Sequence, residues 1–153
     1  MDDYILSPEE KKSVNEAIEY AKQKLYEKSD KIFIPLAEKG SGVAQYNLAL
    51  SLYNRGDFVN AAKWFQILAE RGNYISYAYM GILYKLGYGV PLNPAKTKFI
   101  LEGLEDLSNT GSEELCATEA SEAAKFLRDA IEAIDKQLEE QNIQIRSFFL
   151  TLL

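Results

Sequence analysis

The sequence predicts an all-α protein, a short right-handed α-solenoid of helix pairs with capping helices at its ends. Three observations carry this. Apolar residues recur at steps of three and four nearly throughout, which is the spacing of one helix face. No segment alternates apolar and polar residues between turn signals for long enough to make a strand. Two near copies, "AEKGS" at 37–41 and "AERGN" at 69–73, stand 32 residues apart, a period typical of two-helix repeats.

The first helix is expected over residues 8–28. Val14, Ala17, Ile18, Ala21 and Leu25 form its stripe, Ser7 is placed to cap it, and Pro8 suits the first helical position. A short helix then runs to Gly40, and Pro35 must start or kink it. The repeat region spans 29–107. Ala44, Leu48 and Leu52 mark one helix there, and Phe58, Ala61, Phe65 and Leu68 mark the next. Gly40 and Gly72 each follow a charged residue and suit the left-handed position after a helix end.

Sliding the chain by 32 aligns "AQYNLALSL" (44–52) with "SYAYMGILY" (76–84). Beyond that point the offset becomes 36, so Asp57 meets Asn93, Ala61 meets Thr97 and Trp64 meets Ile100. The four extra residues fall in "LGYGVPLN", around Gly87 and Gly89. The Gly-Lys of a P-loop and the third glycine of a dinucleotide fingerprint are missing, and no strand precedes. We therefore read these glycines as a helix-to-helix turn and not as a phosphate cradle. Ala120, Ala123, Leu127, Ala130, Ile134 and Leu138 mark a last helix over 112–141. It should cap the solenoid, as 8–28 does at the other end. The tail "SFFLTLL" (147–153) should pack back on the body; the alternative is a self-association or partner surface.

The 153 residues suffice for one domain with a real core. The acidic start "MDDYILSPEEKK" lacks the marks of a secretory signal, and no run approaches the ~18 apolar residues of a membrane span. The expectation is a cytoplasmic protein without a membrane partner, monomeric or weakly self-associating. Cys116 is the single cysteine and histidine is absent. That excludes an internal disulfide, Ser-His-Asp and Cys-His arrangements and most zinc sites. No cofactor or metal is expected, and an enzyme would have to rely on tyrosines and carboxylates. Residues 1–100 hold 13 Lys and Arg against 11 Asp and Glu, and residues 101–153 hold 4 against 12, so the charge swings from +2 to −8. The acidic third disfavours nucleic acid and would suit a basic protein, although a solubilising helix surface accounts for it as well.

The stretch "SYAYMGILYKLGYGVPLNPAKTKFI" resembles a Sel-one-like repeat, a relative of the tetratricopeptide repeat. Ser76, Met80, Gly81, Tyr84, Gly87, Gly89, Val90, Asn93 and Lys96 fill the first part of that pattern. Asp57, Phe58, Ala61, Trp64, Phe65, Ala69, Glu70 and Gly72 fill the second part in the preceding unit. Thr97 and Ile100 stand where Ala and Trp are usual. The resemblance implies a non-enzymatic scaffold, adaptor or partner-binding module whose first helix in each unit lines a concave face. Bacterial relatives include immunity proteins that neutralise a cognate toxin. Small size, no export signal and an acidic balance suited to a basic toxin fit that version; a scaffold for a larger assembly is the alternative.

Candidate contact residues follow from comparing the units. Asn47, Ser51 and Asn54 form one polar stripe, and the aligned residues of the next unit are Tyr79, Leu83 and Leu86. Gln45 likewise becomes Tyr77. Either the C-terminal helix or a partner covers the apolar stripe. Lys63 and Arg71 also change, to Phe99 and Leu107, which points to an internal cover. Tyr77 and Tyr79 then suit a groove edge. Glu122, Asp129 and Glu132 on the last helix are candidates for steering a basic partner, with Lys125, Arg128 and Lys136 near enough to pair with them. Trp64 and Cys116 are expected in the core.

Overall fold

The structure, a computed structural model, describes residues 4–110 and 114–151. They form seven helices and no strand: α1 (Pro8–Lys22), α2 (Tyr26–Glu38), α3 (Gly42–Asn54), α4 (Phe58–Glu70), α5 (Tyr74–Leu86), α6 (Pro94–Thr110) and α7 (Glu114–Thr151). Each helix packs on the next in sequence, and α7 packs on α5 as well as on α6. The order of contacts is that of a helical solenoid.

One joint recurs between successive helices. Lys24, Gly40, Gly56, Gly72 and Gly87 all take positive φ at the ends of α1 to α5. In each case the following residue donates its backbone N–H to the carbonyl five residues back: Leu25 to Tyr20, Ser41 to Leu36, Asp57 to Leu52, Asn73 to Leu68 and Tyr88 to Leu83. This is the Schellman closure, which satisfies a carbonyl the helix end would leave bare. At three joints that same residue starts the next helix: the side chains of Ser41, Asp57 and Asn73 accept from the N–H groups of Ala44, Asn60 and Ser76. One residue thus closes one helix and caps another, so the chain reverses within three residues. Each such cap stabilises by ~1 kcal/mol. At α1, Ser7 and Glu10 form a reciprocal capping box behind Pro8.

The expected single helix over 8–28 is therefore two helices. It breaks after Lys22 because Lys24 occupies the left-handed position at φ 60°, which no glycine announces. α2 runs through Pro35, which lies in its third turn.

Phe33, Phe65, Leu83, Leu104 and Leu127 are fully buried, each worth roughly 1.5–3 kcal/mol in burial. Leu127 of α7 lies so close to α5 that a Cβ on Gly81 would meet its Cδ atoms at 2.8 and 3.0 Å. Thr97 is buried in α6 and donates to the Gly81 carbonyl at 2.9 Å, which gives a use for threonine in place of alanine. The Gly87–Asn93 turn seats on the start of α4. A Cβ on Gly89 would stand 2.2 Å from the Phe58 carbonyl oxygen, and the Tyr88 ring lies 4.6 Å from that of Phe58.

Four further expectations change. Trp64 is half-buried at the edge of the core, whose centre is filled by its neighbour Phe65; Cys116 is also half-buried. Phe99 and Leu107 are exposed, so the apolar shift of α6 does not reflect a cover even though that of α5 does. Between Lys125, Arg128, Lys136 and the acidic candidates, the described pair is Lys125 with Asp129; Arg128 bridges to Glu105 on α6 instead. Within the tail, the described residues 147–151 continue α7 and do not fold back; Phe148 and Leu150 are exposed, while 152 and 153 lie outside the described residues.

Candidate functional site

Helix α5 lies under α7, and its upper stripe is covered from within. Leu83 is fully buried, Tyr79 and Leu86 are half-buried, and Lys85 pairs with Asp135 of α7 at 2.6 Å. Helix α3 has no such cover. Its outward face meets the side of α7 across a hollow of about 1110 Å³. Val43, Tyr46 and Asn47 line it from α3, and Glu119, Glu122 and Ala123 from α7. The turn from Glu70 to Asn73, with Tyr74 and Ile75, closes one end.

The hollow borders an aromatic network. Phe65 stacks on Tyr79 at 4.5 Å with rings 4° apart. Tyr79 also meets Tyr53 at 5.4 Å and Phe126 of α7 at 5.0 Å, and Tyr46 meets Phe65 edge-on. Burial pushes the phenols of Tyr46 and Tyr53 up, and pushes that of Tyr79 up to about 12, helped by the neighbouring Tyr46 and Tyr53 hydroxyls. Since the folded-state pKa lies above the usual ~10, the neutral phenol favours the fold. That contribution is fully present below pH ~10 and is lost as pH rises towards 12. Tyrosinate absorbance should accordingly show one phenol titrating near 12, and Tyr79→Phe should remove that step.

The structure brings together two of the predicted contact residues, Asn47 and Glu122, on opposite walls of the hollow. Three others are withdrawn from any open surface because they are buried. Gln45 is a clamp: its side chain donates to the Ala37 carbonyl at 3.0 Å and accepts from Arg71 at 2.9 Å. Ser51 and Leu83 are buried in the bundle. Asn54 is exposed near the far end of α3. Tyr77 points to a separate hollow of about 270 Å³, with Gln66 and Glu70 of α4, Tyr84 and Ile100. Asp129 and Glu132 are exposed along α7 outside the groove. Tyr46, Tyr74 and Glu119 were missed. Tyr46 and Glu119 sit one residue before Asn47 and three before Glu122, so helical spacing reaches them once the groove is known.

Among the described residues no group of three or more His, Cys, Asp or Glu side chains could hold a metal, and no helix is long and apolar enough to cross a membrane. Compared with protein-family models, curated proteins and solved structures, the chain matches none.

Proposed function

We propose that this chain is a non-enzymatic protein-binding module whose groove between α3 and α7 takes a basic segment of a protein partner. The observation that carries this is the pairing of carboxylates and phenols across the hollow. Glu119 and Glu122 share the hollow with Tyr46 and Tyr74, and the one described cation that lines it, Arg71, donates to Gln45 and to the Gly40 carbonyl. A lysine or arginine can pair with a carboxylate and lie over a tyrosine ring, and this groove offers both. The charge of −8 over residues 101–153 would speed the approach of such a partner. Within this class, the Sel-one-like resemblance favours an immunity protein that neutralises a basic bacterial toxin in the cytoplasm. The separate hollow at Tyr77 favours the adaptor alternative, since two faces could hold two partners.

Short Lys/Arg-rich peptides should bind, and Asp/Glu-rich ones should not. Reversing Glu119 and Glu122 together to lysine should weaken binding about tenfold or more, equivalent to ~1.4 kcal/mol. Reversing Asp129 and Glu132, outside the groove, should change only the salt-dependent on-rate. Equal affinity losses from both double variants would remove the groove from the reading.

A further inference from the structure

We propose that the hollow between α4 and α6 takes a tryptophan side chain of a protein partner, on a second face whose chemistry differs from that of the groove. The hollow, about 270 Å³, has Tyr77, Met80 and Tyr84 of α5 along it, with Gln66 and Glu70 of α4 on one side and Ile100 of α6 on the other. By the repeat alignment, the corresponding place in the preceding unit lies between α2 and α4, over α3. Trp64 stands there where Ile100 stands here, half-buried against the core. Arg71 ties the end of α4 to Gln45 of α3 and to the Gly40 carbonyl after α2. Leu107, aligned with Arg71, has nothing to donate, and Tyr77 replaces Gln45. The second unit therefore lacks an indole and a clamp where the first has both, and at that place it has a hollow.

Gly103 points to an occupant from outside the chain. It lies inside α6, where glycine destabilises a helix relative to alanine. Gly81, inside α5, makes room for Leu127, but a Cβ on Gly103 would meet nothing within 4 Å. No described part of this chain requires the missing side chain. Gly103 is one turn along α6 from Ile100, with Phe99 and Leu107 four residues to either side. Those two are 68% and 41% exposed, where the preceding unit has Lys63 and Arg71. An apolar row, notched at its middle beside a hollow, suits a protein surface that inserts one side chain; a free small molecule would leave the row bare. The lining favours an indole. Two phenol rings, a thioether and an isoleucine receive its apolar body. Glu70 has one carboxylate oxygen on the Gln66 amide at 3.0 Å, and its other oxygen can accept the indole N–H, a donor that leucine and phenylalanine lack. Lys96 works against a lysine or arginine there. Its ammonium lies 4.6 Å over the Tyr84 ring and donates to the Tyr84 hydroxyl, so it repels a second cation and attracts an aromatic face.

Met80 reports on the hollow, because the only other methionine is Met1. In the full chain with isotope-labelled methionine methyls, N-acetyl-tryptophanamide should shift the Met80 resonance through the indole ring current and saturate in the millimolar range. N-acetyl-leucinamide and N-acetyl-lysinamide should bind at least about fivefold more weakly. The peptide leucyl-tryptophanyl-leucine, which can also reach the apolar row, should bind at least about fivefold more tightly than free indole. Gly103→Leu fills the notch from within. It should weaken the tryptophan probe at least about tenfold while the midpoint of thermal unfolding holds or rises. Lys98→Leu, the same side chain on another face of α6, should leave binding within about twofold. No Met80 shift with any probe, or a Gly103→Leu chain that binds like wild type, would overturn the site. Leucine or lysine amides that bind as tightly as the tryptophan amide would overturn the indole. Free indole that binds as tightly as the peptide would overturn the protein partner.

Discussion

Phe65→Ala is expected to destabilise the protein by roughly 3–5 kcal/mol, the range for deleting a fully buried ring. Phe65 is 0% exposed and touches three other rings: it stacks on Tyr79 and meets Tyr46 and Tyr53 edge-on. Alanine leaves a cavity between α3, α4 and α5, and α7 limits how far α5 can collapse into it. For a chain of this size the midpoint of thermal unfolding should fall by roughly 10 °C or more. Circular dichroism at the helical minimum measures this directly. The floor of the groove should also loosen, since Tyr79 rests on Phe65, so the titration step near pH 12 should move down. A loss below about 1 kcal/mol would mean that the stack is not the centre of the core.

Gly89→Ala should cost nearly as much, by a different route. At φ 71° an added Cβ already costs about 1–2 kcal/mol. Here it would also stand 2.2 Å from the Phe58 oxygen and 2.7 Å from the Val59 nitrogen, which are backbone atoms at a helix start and cannot rotate aside. A total of ~3 kcal/mol or more is expected, with the α4 end of the turn displaced. Gly56→Ala supplies the comparison. It has a similar φ of 85° but nothing within 4 Å of its Cβ, so it should lose only the left-handed penalty. Chemical denaturation of the two variants separates the terms, and equal losses would show that the loop yields to the extra carbon.

The fold class was legible because helices with one apolar stripe must bury it, and the stripes are spaced accordingly. The joints were only half legible. Gly40 and Gly72 announced themselves, but the same geometry recurs at Gly56 and Lys24, 16 residues from Gly40 on either side. Lysine there carries no turn signal. The groove was less legible than the fold. Its walls, α3 and α7, lie far apart in sequence, and no periodicity within one helix records which other helix comes to lie beside it. Polarity also misled at Gln45, because a buried amide with both ends hydrogen-bonded looks in sequence like an exposed one. The covered stripe of α5 was readable for the opposite reason. Tyr79, Leu83 and Leu86 replace polar residues of the preceding unit, and an apolar excess on an otherwise solvated face needs a lid.

That lid has a consequence during synthesis. The joints let α1 to α4 pack pairwise as they leave the ribosome, each on the helix made just before it. Helix α5 cannot finish this way, since Tyr79 and Gly81 wait for Phe126 and Leu127 of α7, made some 40 residues later. At 5–20 residues per second the wait is roughly 2–8 s. For that interval the nascent chain carries a helical body with one bare apolar face. It is then that a holdase chaperone has something to grip, and that two neighbouring chains on one message can stick together wrongly.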